Sequence, residues 1–193
     1  MEMATTHGVL SRHDLREAGL PESYLAKLAD QGALSQLAPG VYMDPSAEID
    51  TWLEVAVVAK RVPHAVAFGV TALGLHDLTT QPSHAVEIAI ARGRWTPTLD
   101  WPPLDVFHLS EPSFSIGIEE RVIESYGLSV KVYSVAKTVA DLFKFRSRFG
   151  LAVALEALRE GWAHERFTLD ELDTCARACR VHNVMRPYVE MLS

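Results

Sequence analysis

Apolar residues at Val135, Val139, Leu142 and Phe143 fall at i, i+4, i+7 and i+8, which predicts an amphipathic helix with Ser134 as its N-cap. Lys137, Asp141, Lys144 and Arg148 recur at i, i+4, i+7 and i+11 and draw a charged stripe on another side of the same helix. Gly150 stops it, as a residue that accepts positive φ does at a helix end. A second helix follows to Trp162, with Leu151, Val153, Ala154, Leu155, Ala157 and Leu158 mostly turned inward.

The first 45 residues carry a different pattern. Ser11 with Asp14 three positions later forms a capping box for a short helix that runs to Ala18 and ends at Gly19. Pro21 opens a second helix, in which Leu25 and Leu28 face inward and Gly32 is the stop. Apolar residues then alternate on both sides of Ala38-Pro39-Gly40, the signal of a hairpin. Helix, tight turn, helix and hairpin, in that order, predict a winged helix-turn-helix over residues 1–45, with Pro21–Gln31 as recognition helix and Leu34–Met43 as wing.

Residues 46–193 read as a second, larger domain. Ser46 caps a helix to Val62, with Ile49, Leu53, Val57 and Val58 inward, and Phe68–Leu78 is a second apolar helix. The chain turns sharply at Thr79-Thr80-Gln81-Pro82. Strands follow at Ala85–Ala91 and Leu104–Leu109, and a hairpin joins Glu119–Ser125 to Leu128–Tyr133. Thr168 caps a late helix, and helices close the chain. The fold class is therefore α+β: a winged helix-turn-helix, then a small, mostly antiparallel sheet packed with helices.

Charge complicates the winged helix. The chain has a formal net charge of −7, so a contact with DNA must be a local patch. Residues 1–45 hold three basic side chains (Arg12, Arg16, Lys27) against six acidic ones. Phosphate contacts dominate affinity for DNA, so pattern favours DNA binding and charge favours a protein-interaction module. Arg92, Arg94 and Trp95 form a basic loop with an aromatic, suited to a phosphate or a base but equally an ordinary solvated loop.

Other chemistry finds little support. Two cysteines make no disulfide framework and fit a reducing cytosol. Cys175, Cys179 and His182, at i, i+4 and i+7, offer three zinc-type ligands without a fourth, so no metal is expected. The chain shows no Gly-rich phosphate loop and no nucleophile elbow. Glu87 lies inside a strand but lacks the lysine two residues on that a nuclease-type site needs. No catalytic residue and no cofactor is expected. The opening residues do not have the form of a signal peptide, and no apolar run is long enough to span a membrane.

The whole pattern resembles the AbiEi antitoxin family of type IV toxin–antitoxin systems. The resemblance rests on GVLSRHDLREAGLPESYLAKLADQGAL and APGVYM in the opening, VTALGLHDLT at 70–79, IARG at 90–93, SVAKTVADLFKFRSRFGLAVALEALRE from Ser134, and VMRPYVE at 184–190. Family membership implies an N-terminal winged helix that binds inverted repeats in its own promoter. It also implies a C-terminal domain that counters a nucleotidyltransferase toxin without a stable complex. Such a protein is a cytoplasmic antitoxin and transcriptional autorepressor. Carried onto this chain, the DNA contacts are Arg12, Ser23, Tyr24 and Lys27. The C-terminal functional surface is Lys137, Asp141, Lys144, Arg146 and Arg148. Relatives are usually basic along the recognition helix, whereas Glu22, Asp30 and Gln31 stand there here. Two rival readings are a protein-interaction module that kept the fold and lost DNA binding, and a nuclease-type nucleic-acid enzyme.

Overall fold

The computed structural model of the chain describes residues 8–81 and 83–192. Residues 1–7 of the opening and Pro82 of the expected sharp turn lie outside the described residues. The chain forms two compact units. The first takes residues 1–64, 97–103 and 121–130; the second takes 65–96, 104–120 and 131–193.

In the first unit, β1 (Val9–Ser11) leads into α1 (Arg12–Glu17) and α2 (Ser23–Asp30), followed by β2 (Ser35–Ala38) and β3 (Val41–Met43). The three strands form an antiparallel sheet in the order β1-β3-β2, with Val9 opposite Met43 and Gln36 opposite Tyr42. β1 was not foreseen, since three residues are too short to show an alternation. Ser11 ends it and caps α1: its amide and its hydroxyl both donate to Asp14 Oδ2, at 2.6 and 2.8 Å. Leu10, Leu15, Leu25, Leu34 and Tyr42 close a small core.

A third helix, α3 (Leu53–Arg61), packs on β1 and β3 of this unit. It begins later than the helix expected from Ser46. The amide and hydroxyl of Ser46 donate to Asp44, and the amide of Trp52 donates to Asp50, so side chains hold the intervening backbone in turns that compete with helix. Ile49, expected to face inward, is 69% exposed. Asp50 is met from far along the chain. Its amide donates to the Tyr126 hydroxyl oxygen at 3.2 Å, and Ser125 Oγ donates to its carboxylate at 2.5 Å.

A five-stranded sheet runs in the order β6-β5-β4-β8-β7, and β4, β5 and β6 lie wholly in the second unit. Its strands are β4 (Val66–Ala67), β5 (Val86–Ala91), β6 (Leu104–Leu109), β7 (Ile118–Ile123) and β8 (Leu128–Tyr133). The sheet is mixed: β4 runs antiparallel to β5 but parallel to β8, and β5 and β6 are parallel from Val86↔Leu104 to Ala91↔Leu109. β5 is buried along nearly its whole length, which explains its run of Val, Ile and Ala.

Six helices of the described residues belong to this unit: α4 (Gly69–Leu75), α5 (Val135–Lys144), α6 (Arg146–Phe149), α7 (Leu151–Ala163), α8 (Leu169–Ala178) and α9 (His182–Val189). Gly150 separates α6 from α7 at φ +89°, as the sequence indicates. Ser134 caps α5, its hydroxyl accepting from the Lys137 amide at 3.3 Å. The core of the helical part gathers Val135, Val139, Leu142 and Phe143 with Ala154, Leu158 and Leu172. Phe68, Phe107 and Tyr133 form a second, aromatic cluster against the sheet.

Candidate nucleic-acid interface

The recognition helix buries one side. Leu25 is 1% exposed, and Leu28 and Ala29 pack beside it against the small core. Ser23, Tyr24 and Lys27 are exposed. Helical spacing places Asp30 on the same face as Ser23 and Lys27, so the one cation of that face is offset by a carboxylate. Glu22 is bound by Arg16 across the turn between α1 and α2. The outward face of α2 is therefore close to neutral, and a polyanion gains little from it.

Positive charge gathers instead beside the wing. Arg12, at the start of α1, is exposed, and its side chain lies along the β2–β3 turn: a Cβ added at Gly40 would stand 3.4 Å from Arg12 Nε. Gly40 itself has φ +78°, a conformation that glycine adopts without strain. The end of α3 reaches the same place. Arg61 donates from its guanidinium to the Pro39 carbonyl, and Lys60 Nζ lies 2.6 Å from Asp14 Oδ1. Burial acts to raise the Asp14 pKa, but the Lys60 ammonium and the bonds from Ser11 outweigh it and hold the carboxyl below its ordinary value. The resulting cleft, about 230 Å³, is lined by Arg12, His13, Pro39, Gly40, Lys60 and Arg61 among others. Lys60 and Arg61 stand in the last turn of α3, where basic side chains also complement the helix dipole. No local cue shows that this helix end meets the wing.

The charged stripe of α5 is not one surface. Lys137 and Asp141, expected on the C-terminal functional surface, are both 0% exposed. Lys137 Nζ binds Asp141 Oδ2 and lies 3.9 Å from the centre of the Tyr133 ring. Cys179 Sγ donates to the other Asp141 oxygen at 3.3 Å. α5 is packed by α4, α7, α8 and α9, so no side of it at this level is open to solvent, and the two opposite charges satisfy each other. Burial pushes the Asp141 pKa upward, against the pull of Lys137. Lys144 is half-buried and donates to Ser113 Oγ at 3.4 Å. Only Arg146 and Arg148 of the five are exposed. Arg146 donates to the Phe143 carbonyl at 2.9 Å, and Arg148 pairs with Asp105 at 2.7 Å while its guanidinium covers the Phe107 ring.

The remaining sequence candidates resolve as structure. Glu87 is 7% exposed, and its Oε2 accepts from the Val70 and Thr71 amides at the start of α4, so it caps a helix. Cys175 and Cys179 are buried free thiols, and His182 starts the next helix and does not share theirs. Among the described residues no group of three or more His, Cys, Asp or Glu is placed to hold a metal ion. No helix of the described residues is long and apolar enough to cross a membrane. Arg92, Arg94 and Trp95 are all exposed, Trp95 at 87%.

Residues 2–43 match the family model described as "Transcriptional regulator, AbiEi antitoxin". Over that segment the resemblance to the AbiEi family holds. It is the segment that contains β1 to β3, and its sequence is similar to that of the AbiEi transcriptional-regulator model. No curated protein matches the chain. Among solved structures, the fold is similar to that of the RV2827C protein from Mycobacterium tuberculosis, with a TM-score of 0.58 at 17% identity. That likeness covers 86% of this chain and 65% of the RV2827C chain, so this protein spans just under two thirds of the length of the structure it matches.

Proposed function

We propose that this protein is an AbiEi-like antitoxin that represses its own transcription by binding inverted repeats in its promoter and that counters a nucleotidyltransferase toxin. The observation that carries the reading is the AbiEi match over residues 2–43 together with the helix-turn-helix and wing that those residues build. In this reading residues 1–45 hold the DNA. Ser23, Tyr24 and Lys27 of α2 face the bases, and Arg12 grips the backbone beside the wing. Residues 46–193 suppress the toxin without a stable complex, with Arg146 and Arg148 as the exposed charges of that domain and Lys137, Asp141 and Lys144 as the ionic core behind them. The protein acts in the cytoplasm and needs no catalytic residue or cofactor.

A gel shift with the chain's own upstream DNA, run over a salt series, tests the first half. Retarded complexes at low salt are expected, and no complex at any salt concentration sinks the reading. Co-expression with a nucleotidyltransferase toxin encoded beside this chain tests the second half: growth arrest by the toxin is expected to be relieved, and the lack of such a neighbour or of any relief sinks that half. One observation favours a rival. The neutral outward face of α2, with Asp30 beside Lys27, suits a protein partner, and a chain that relieves toxicity while binding no DNA would establish that alternative.

A further inference from the structure

We infer that the cleft between the start of α1, the wing turn and the end of α3 seats a backbone phosphate of duplex DNA, with Arg12 and Arg61 as its cations. The inference rests on the DNA-binding reading above and moves the main electrostatic contact away from the recognition helix. It also extends the DNA-binding surface to α3, beyond the matched segment of residues 2–43.

Charge is the first argument. Three permanent cations, Arg12, Lys60 and Arg61, line the cleft, and no carboxylate does. Asp14 is close, but it is engaged by Lys60, whose side chain is 10% exposed, so the excess positive charge of the cleft rests on the two arginines. Both arginines are exposed. Arg16 is tied to Glu22, whereas Arg12 makes no direct salt bridge among the described residues and acts on Glu22 only through space. In a chain that is acidic overall, this concave place carries an excess of positive charge, and low-dielectric walls concentrate its field.

Geometry is the second argument. Arg61 spends one donor on the Pro39 carbonyl, which fixes the guanidinium beside the wing turn. Its other donors remain to serve a phosphate, for which the planar fork is well matched. Arg12 is laid along the bare backbone of Gly40. The two arginines thus come from different elements and line one cleft, and because Arg61 is already fixed, a phosphate there orders one free side chain rather than two.

Fluorescence anisotropy of the full chain on its own upstream duplex, over a potassium chloride series, tests this. Arg12→Gln and Arg61→Gln are each expected to weaken binding to operator and scrambled duplex alike and to reduce the log–log salt slope by about 1 per lost contact. Arg61→Lys is expected to restore most of the slope. Arg12→Gln guards against a purely structural effect of Arg61, because Arg12 holds no carbonyl of the wing. Wild-type affinity and slope in both glutamine variants, with Lys27→Ala still weakening binding, overturn the inference and leave the DNA-binding reading intact. A wild-type chain that binds no duplex at low salt overturns both.

Discussion

Lys137 and Asp141 form an ion pair one helical turn apart on α5, and neither side chain is reached by solvent. Breaking such a pair from one side leaves an uncompensated buried charge, whereas replacing both partners removes the problem. Lys137→Met is therefore expected to lower the unfolding free energy of the second unit by about 3–5 kcal/mol. The double variant Lys137→Met/Asp141→Leu is expected to recover most of that loss. Urea unfolding of wild type, both single variants and the double variant completes the cycle. Additive losses contradict the buried pair.

Glu87 gives a prediction with a definite sign. Burial, above all, raises its pKa over the ordinary 4.5, against the pull of the Val70 and Thr71 amides. Its contribution to stability is then full below 4.5 and declines as pH rises through the raised folded value. Glu87→Gln keeps an acceptor for the amides and cannot ionise, so its melting temperature should not show that decline between acid and neutral pH. Glu87→Ala leaves the amides of α4 without their acceptor and is expected to cost about 1–3 kcal/mol. Thermal melts across the pH range distinguish the two variants.

Asp14 behaves in the opposite way. Its folded pKa lies below 3.8, so its stabilisation of the first unit is complete above that value and is lost as pH falls through the depressed folded one. Hydrogen exchange at the amides of α1 should accelerate on acidification in the wild type. Asp14→Asn should show faster exchange at neutral pH and a flatter acid profile.

Cys175 and Cys179 are buried, and burial drives their thiols up to about 11 and about 12. Thiolate is the reactive form, so neither cysteine should react appreciably with a thiol reagent at neutral pH while the fold is intact. Reactivity should rise together with the unfolding transition in urea. Rapid labelling of the native chain contradicts the packing of α8 on α5.

Much of this fold is legible in the sequence where one face of an element is dry. Leu104–Leu109 matches the observed strand, and the Ser134 cap and the Gly150 break lie where the pattern puts them. The start of α3 is not legible, because Ser46 and Asp44 satisfy each other locally and override the helical pattern. The charged stripe of α5 misleads for a physical reason. An i, i+4 pair of opposite charge has the same sequence signature on a solvated face and in a core, and only the helices packed around it decide. The cleft beside the wing is illegible for another reason: Arg12 and Arg61 are separated by most of the first unit's sequence, and no periodicity links them.

Tyr126 sits in the short turn between β7 and β8, yet its hydroxyl accepts from Asp50, and a Cβ on Gly8 would stand 2.9 Å from its ring. A nascent chain that has emerged only as far as residue 64 still lacks this tyrosine, and with it a wall of its first unit. Order along the chain and membership of the unit thus differ: residues 121–130, made after β4, β5 and β6, complete the amino-terminal unit, although its small core of Leu10, Leu15, Leu25, Leu34 and Tyr42 is made first.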